Sequence, residues 1–284
     1  MATVSAPAAD PAVVAFYSGH PISAAIVLDK LRRARGHVER LRPEDLFAHD
    51  QDHYGGLEAN DALARLAGLA PGLKLADFGA GLGGPARYFA HRYGVEVTGI
   101  ELTPARVEGA NRLTALVGLS DRVRVLEGDV RATALPSGAF DAVISQEALL
   151  HVPERARALA EAFRVLRPGG RLAFTDWIAH RPPSQAEFDL LRQGMAVQPI
   201  ETMDSYRVAL EGAGFAPVAA EDLTRQWAPI LAQRLKMYEA LRTEALKAGT
   251  PAGHDAFYRS YVLLVRLVTE GALGGIRIGA ARTA

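Results

Sequence analysis

The sequence contains no cysteine, which excludes disulfides, thiolate nucleophiles and cysteine-ligated metals. It has no surplus of charge either: Lys+Arg and Asp+Glu each number 32 in 284 residues. A balanced chain has no bulk attraction to nucleic acid or to anionic membrane. No run is apolar for long enough to span a bilayer. Met1 to Asp10 is rich in Ala and Pro, without the basic and apolar segments of a secretory signal, and reads as a disordered tail. Internal repeats are absent as well. What remains is an ordinary globular composition, 49% apolar and 23% charged. The length suits one large α/β domain with additions or two smaller domains. The expectation is a cytoplasmic protein with a small-molecule partner, no nucleic acid and no membrane; a homo-oligomer is left open.

What is present is organised around Leu73-Lys74-Leu75-Ala76-Asp77-Phe78-Gly79-Ala80-Gly81-Leu82-Gly83-Gly84. An apolar run, the pattern of a buried strand, ends in an acid and then a glycine cluster. Pro85 to Tyr93 reads as a helix with proline in its first turn. Strand, glycine turn and helix start bring backbone N–H groups to one crevice. Side chains at positions 79 and 81 would keep a ligand from that backbone. Gly79, Gly81 and Gly84 also satisfy the dinucleotide pattern G-x-G-x-x-G. Asp77 argues the other way, because a carboxylate at the crevice floor suits a cation better than a pyrophosphate. A tight turn that binds nothing is the third reading.

Around this centre, strands and helices alternate, which predicts a parallel sheet with right-handed crossovers. Further strands are expected at Val95–Ile100, Val123–Glu127, Phe140–Ser145, Leu172–Trp177 and Phe215–Leu223, with a last short strand at Ile276–Ile278. Helical spacing covers Ile22–Arg35, Leu57–Ala67, Pro153–Leu166, Ala186–Met195, a segment starting at Thr202 or Asp204, Trp227–Lys247 and Asp255–Thr269. Aromatic residues in the last two helices (Trp227, Tyr238, Phe257, Tyr258, Tyr261) read as packing. Glu101 lies about twenty residues past the glycine turn, where a carboxylate can bind both ribose hydroxyls of an adenosine cofactor. Its alternative role is an acid at a helix start, with Thr103 as N-cap and Pro104 at N1. The polar stretch His49-Asp50-Gln51-Asp52-His53-Tyr54-Gly55-Gly56 lacks metal-ligand spacing, so no metal is expected. It reads as a lid over a ligand or as an Asx-rich capping loop.

Three motifs carry a family resemblance: D-x-G-x-G-x-G from Asp77 to Gly83, Gly128-Asp129-Val130 after the third strand, and Leu166-Arg167-Pro168-Gly169-Gly170 before the fifth. Together, over about Asp50 to Asp176, they resemble class I S-adenosylmethionine-dependent methyltransferases of the sterol, sarcosine/dimethylglycine and natural-product type. The resemblance implies an α/β fold: a doubly wound, mostly parallel seven-stranded Rossmann-like methyltransferase sheet with helical cap insertions. It divides the chain into a disordered tail (1–10), an N-terminal helical lid (11–70), a cofactor-binding core (71–180), a cap (181–200) and a C-terminal part of the core with a helical insertion (201–284). It implies S-adenosyl-L-methionine as cofactor. Asp77, Gly79, Ala80 and Gly81 would hold its methionine part, with Gln51, Tyr54 and Gly55 of the lid against the same end. Glu101 and Leu102 would take the ribose side, Asp129 would accept from the adenine amine, the Val130 N–H would donate to a ring nitrogen, and Gln146 completes the strand edge.

The sulfonium methyl of that cofactor is already activated, so a protein need only align a nucleophile behind it and exclude water. A hydroxyl or carbon acceptor must also lose a proton. Glu147 and His151 stand four apart after the fourth strand and share a face if that stretch is helical. His151 suits the role of base, Glu147 that of orienting it or stabilising a cation, and Asp176 could support His151 from the fifth strand. A helix-start histidine bonded to backbone is the plain alternative. Arg181 and Arg192 in the cap could bind a carboxylate or diphosphate, or stay solvated. The leading expectation is methyl transfer to carbon or oxygen of a natural product, terpenoid or sterol-like metabolite. N-methylation of a small amine is the alternative within the class. A cofactor-fold protein catalysing another reaction, such as a cyclisation, and an NAD-dependent dehydrogenase lie outside it.

Overall fold

The computed structural model describes residues 10–18, 22–247 and 252–283. Its strands are β1 (Lys74–Phe78), β2 (Glu96–Glu101), β3 (Val123–Glu127), β4 (Phe140–Gln146), β5 (Leu166–Ala179), β6 (Phe215–Asp222) and β7 (Leu273–Arg282). They form one seven-stranded sheet in the order β3-β2-β1-β4-β5-β7-β6. The first five are parallel, and β7 runs antiparallel to both β5 and β6. The chain reverses its direction of winding between β1 and β4, so the crevice of a doubly wound sheet opens at their carboxyl ends. The doubly wound, mostly parallel arrangement expected from the motifs is the one observed.

The helices are α1 (Pro11–Ser18), α2 (Ala24–Arg35), α3 (Pro43–Leu46), α4 (Gly56–Ala67), α5 (Gly84–Tyr93), α6 (Pro104–Leu116), α7 (Arg155–Val165), α8 (Gln185–Met195), α9 (Met203–Gly212), α10 (Thr224–Lys247) and α11 (Ala252–Thr269). One apolar cluster joins α2, α4 and α5 to β1 and β2 through Leu31, Leu63, Phe89, Leu75 and Val97. A second joins α7 and α9 to β4 and β5 through Leu159, Leu210, Val143 and Phe174. A third packs α8, α10 and α11 against β5 and β7 through Leu191, Leu231, Leu267, Trp177 and Leu273. These last helices form the wall above the sheet edge.

Four expectations are corrected. Of the tail read over 1–10, positions 1–9 lie outside the described residues, whereas Asp10 caps α1: its carboxylate accepts the Ala12 N–H at 2.9 Å and the Gln198 amide at 2.8 Å. The strand read as Ile276–Ile278 extends to ten residues. Its glycines mask it in sequence, yet their bare backbone is needed: a Cβ at Gly275 would lie 2.3 Å from the Trp227 ring of α10. The Arg167–Gly170 turn is a bulge inside β5, where the pairing with β4 jumps from Phe140↔Leu166 to Ala142↔Arg171. Thr103 stands at the N-cap of α6, but its buried hydroxyl has no partner among the described residues, and its N–H donates to Glu101 Oε1 at 2.8 Å.

The loop before α4 is tied to α5 by a fully buried ion pair. Arg87 Nη2 donates to Asp50 Oδ2 at 2.8 Å, and Arg87 Nη1 donates to the Ala110 carbonyl and the Thr114 hydroxyl, both at 3.2 Å. Neither side chain is solvent-exposed. Removing one partner of such a pair strands the other charge. Arg87→Met is expected to cost about 3–5 kcal/mol of unfolding free energy in urea. The double variant Asp50→Leu/Arg87→Met should recover part of that loss; full additivity of the two single losses would contradict the pairing.

Candidate functional site

A cavity opens where the carboxyl ends of β1, β2 and β4 meet the helical wall. Its floor is the turn Gly79-Ala80-Gly81, with Gly79 at φ 78 and Gly81 at φ 56. A Cβ at Gly79 would lie 2.3 Å from Ala148 Cβ, so this glycine is fixed by the approach of the β4 loop. The N–H groups of Gly79 and Ala80 donate to the Ile100 carbonyl at 2.9 and 3.0 Å, and the Gly81 N–H donates to Glu101 Oε2 at 3.0 Å. The turn therefore spends on β2 the donors that a pyrophosphate would require. Gly84 serves another contact. A Cβ there would fall 2.0 Å from the Asp50 carbonyl oxygen, so it admits the lid loop and not a ligand.

Two buried groups on this floor lack partners among the described residues. Asp77 Oδ2 is orphaned, and so are both amide atoms of Gln146. Burial first, and then Glu101, push the Asp77 carboxyl up to about 7. A buried, unpaired carboxylate is costly, and a bound cation would relieve it. These orphans and the bare turn fit the cationic, amine-bearing cofactor implied by the motifs. Glu101, Leu102, Asp129 and Val130 continue along the same cavity. The Asp129 carboxylate is already engaged by Arg131, through the backbone N–H at 2.8 Å and Nη2 at 2.6 Å. An adenine amine would share that carboxylate with an arginine.

On the lid loop, Tyr54 lines the cavity, together with Asp50, Asp52 and His53. Gln51 and Gly55 do not. The Gln51 side chain turns away to Asp50, His53 and Asn60, and Gly55 is the left-handed N-cap of α4. The charges of the His49–His53 stretch are directed to structure: Asp50 to Arg87 and Asp52 to Arg106. Burial lowers His53 to about 4, so its ring is neutral.

Glu147 and His151 both line the cavity, but they do not share a helix. Glu147 has a left-handed backbone, φ 45, and only Leu149–His151 form a short 3₁₀ turn. Glu147 Oε2 accepts the Tyr54 N–H at 2.6 Å and its Oε1 accepts the Thr175 hydroxyl. Burial raises this carboxyl to about 7 against those bonds. Among the described residues, His151 Nδ1 lies 3.3 Å from the Ala196 carbonyl and Nε2 lies 2.7 Å from the Tyr17 hydroxyl. A carbonyl only accepts, so Nδ1 carries the proton in the neutral ring and Nε2 accepts from Tyr17.

Asp176 does not support His151 side chain to side chain. It is fully buried behind the site, where its carboxylate accepts the Leu150 N–H at 3.2 Å and the Tyr206 hydroxyl. Arg155 grips the same turn, donating to the Leu149 carbonyl at 2.7 Å and the Leu150 carbonyl at 3.0 Å. Asp176 thus fixes the backbone that carries His151. Arg181 pairs with Glu187 and Glu270 on the outer surface, Arg192 is exposed, and neither lines the cavity.

Several lining residues escaped the sequence reading. Phe16 and Tyr17 come from α1, and Tyr238, Phe257 and Tyr261 from α10 and α11, so three of the aromatics read as packing face the cavity. Arg106 and Arg234 line it too. Arg234 lies 4.7 Å over the Tyr54 ring and donates to the Asp52 carbonyl at 3.1 Å, locking α10 to the lid loop. Hydrophobic periodicity marks Tyr17 and the α10 face as apolar positions and says nothing of which cavity they meet.

Residues 76–174 match the family described as Methyltransferase domain, Methyltransf_11. The chain is 36% identical over 189 residues to 27-O-demethylrifamycin SV methyltransferase of Amycolatopsis mediterranei, covering 64% of this chain and 70% of that one. It is 38% identical over 167 residues to sarcosine/dimethylglycine N-methyltransferase of Halorhodospira halochloris, covering 56% of this chain and 57% of that one. Among solved structures, geranyl diphosphate C-methyltransferase from Streptomyces coelicolor, in complex with Mg2+, geranyl diphosphate and S-adenosyl-L-homocysteine, superposes with a TM-score of 0.71 at 20% identity, over 98% of this chain and 100% of that one.

Below its raised pKa, Asp77 must release a proton before it can balance a cation. Affinity for S-adenosylmethionine is therefore expected to rise with pH between about 5.5 and 7, by at most about tenfold per unit. Asp77→Asn should flatten this dependence in calorimetry. An unchanged slope would assign the proton to Glu147, which titrates in the same range.

Proposed function

We propose a hydroxyl acceptor for a chain that belongs to the class I S-adenosylmethionine-dependent small-molecule methyltransferases. Bound S-adenosylmethionine supplies a methyl group on a positive sulfur, ready for in-line attack. The observation that carries the acceptor is the orientation of His151. Its Nδ1 proton is directed to the Ala196 carbonyl, which leaves Nε2 as a lone pair facing the cavity beside a phenolic O–H, 2.7 Å away. The position of the Tyr17 hydroxyl is where an acceptor hydroxyl would be deprotonated. A general base within hydrogen-bond reach of that oxygen supports the reading.

The other residues bind and exclude water. Asp77 and Gln146 meet polar groups of the cofactor, and Glu101 takes the ribose. Glu147, held by Tyr54 and Thr175, closes the lid loop onto the β4 edge. Phe16, Tyr238, Phe257 and Tyr261 surround the acceptor with apolar surface, which suits an aromatic or polyketide-like natural product. The 27-O-demethylrifamycin relative agrees with oxygen as the acceptor atom. A second reading is N-methylation of a small amine, favoured by the cavity's aromatic rings, which can hold a cation by its charge, and by the sarcosine/dimethylglycine relative.

Assay of labelled methyl transfer against panels of hydroxylated aromatics and of small amines separates the two. Hydroxyl acceptors should be turned over, and turnover of amines alone would overturn the reading. His151→Ala should lower kcat on a hydroxyl acceptor by about 10²–10⁴-fold. S-adenosylhomocysteine affinity should stay within about twofold, because the ring acts on the acceptor.

A further inference from the structure

Tyr261 buries a hydroxyl that nothing in the chain satisfies. It lies on α11 one turn after Phe257, and Tyr238 lies on α10 one turn after Arg234, so each pair shares a helix face. All four residues line the cavity. Tyr261 is 2% exposed, and its hydroxyl has no hydrogen-bond partner among the described residues. The Tyr54 phenol stands beside it without closing a hydrogen bond. The Tyr261 ring itself is held by aromatic neighbours, with centroids 4.7 Å from Tyr238 and 5.8 Å from Phe257. Phenylalanine would serve that packing as well. A buried phenol O–H left unpaired is costly, so its presence calls for a partner supplied from the cavity.

The charge beside this hydroxyl says what that partner is. Arg234 lies 4.7 Å over the Tyr54 ring, and its charge acts on Tyr54, Tyr238 and Tyr261 together. A phenol near a fixed cation turns its lone pairs toward the charge and offers its O–H elsewhere. The same charge repels an ammonium group. The matching ligand group is therefore an oxygen that accepts a hydrogen bond. The cavity wall says what shape carries it. Ring follows ring from Tyr261 to His151: Phe257 to Phe16 is 6.2 Å and Phe16 to His151 is 6.2 Å, with planes only 30° and 31° apart. Such a wall suits a flat ligand lying along it. We propose that Tyr261 is a specificity-determining residue, its O–H donating to a carbonyl oxygen at the far end of a flat aromatic acceptor whose reacting hydroxyl meets His151. A carboxylate on the acceptor is the other source of the same chemistry. The inference deepens the hydroxyl-acceptor reading and rests on it for the His151 end.

Calorimetry on the full chain, saturated with S-adenosylhomocysteine, tests this with 6-acetyl-2-naphthol, 6-ethyl-2-naphthol and 6-hydroxy-2-naphthoate. Wild-type protein should bind the acetyl compound about three- to tenfold more tightly than the ethyl compound, which has the same shape without the oxygen. Tyr261→Phe should erase that preference and leave the affinities for the ethyl compound and for S-adenosylhomocysteine within about twofold. Tighter binding of the naphthoate than of the ketone, lost in Tyr261→Phe, would assign the oxygen to a carboxylate. Without ligand, Tyr261→Phe should equal or exceed wild type in urea unfolding, because an unpaired hydroxyl leaves the interior. A clear loss of stability would show that the hydroxyl is bonded within the protein and would overturn the proposal. So would a preference that survives in Tyr261→Phe, wild-type indifference to both oxygen-bearing compounds, or no binding of any of the three. Tighter binding of the corresponding trimethylammonium naphthol would overturn it in favour of a cation box. Failure of the hydroxyl-acceptor reading looks different: the Tyr261-dependent preference would persist while label is transferred to amines alone.

Discussion

The site depends on a close approach of two backbones. The lid loop reaches the start of α5 so tightly that position 84 has no room for a β-carbon beside the Asp50 carbonyl, and the Asp50–Arg87 pair locks the contact from within. Everything the cavity presents on that side follows from it. Asp52 is placed against Arg106, the Tyr54 N–H reaches Glu147, and the Tyr54 ring lies under Arg234. A buried ion pair is a weak source of net stability, but it fixes register, because any other arrangement leaves a charge unpaired in the core. Here the register it fixes is that of the loop before α4 against the glycine turn and the start of α5.

Within the crevice, electrostatics separate two chemistries that the same glycine pattern can serve. A dinucleotide site leaves backbone donors pointing at a pyrophosphate. In this chain the three N–H groups of the turn are spent on Ile100 and Glu101. What faces the ligand is then a carboxylate that burial keeps near its protonation point, flanked by an unpaired amide. Such a floor repels phosphate and gains from a cation. The dehydrogenase reading fails on the same hydrogen bonds that make the turn rigid.

Much of this was legible in the sequence, for a definite reason. Parallel strands are buried on both faces and read as apolar runs, and each of the first four ends in an acid, a glycine or a polar residue at the edge where ligands bind. Asp77, Glu101 and Glu147 stand at those strand ends, Asp129 was singled out by the motif resemblance after the third, and all four line the cavity. Contacts between distant segments were not legible. Asp176 has the right strand and edge to face His151, yet its side chain enters the core toward Tyr206. Gln51 and Gly55 sit in the right loop, but Asn60 and the left-handed cap of α4 turn them aside. Tyr17, Arg106 and Arg234 carried no local signal, because what defines them is a cavity assembled from distant stretches of chain, as in Tyr17 with His151, 134 apart.

The distribution of these residues separates what the family shares from what this chain adds. The Methyltransferase domain match runs from 76 to 174 and contains the glycine turn, Glu101, Asp129 and the His151 turn. Helices α1, α8, α10 and α11, which add lining residues above the floor, all lie outside that span. Backbone similarity to the geranyl diphosphate enzyme nevertheless extends over 98% of the chain. The caps therefore share the fold of that enzyme beyond the matched span. Tyr17 reaches His151 from a cap helix and Ala196 meets it from the end of another, so the ring belongs to the core while its hydrogen-bonding environment belongs to the caps. Under the proposed hydroxyl chemistry, acceptor choice would be exerted on His151 itself, by the helices that cover it, as well as by the shape of the space they enclose.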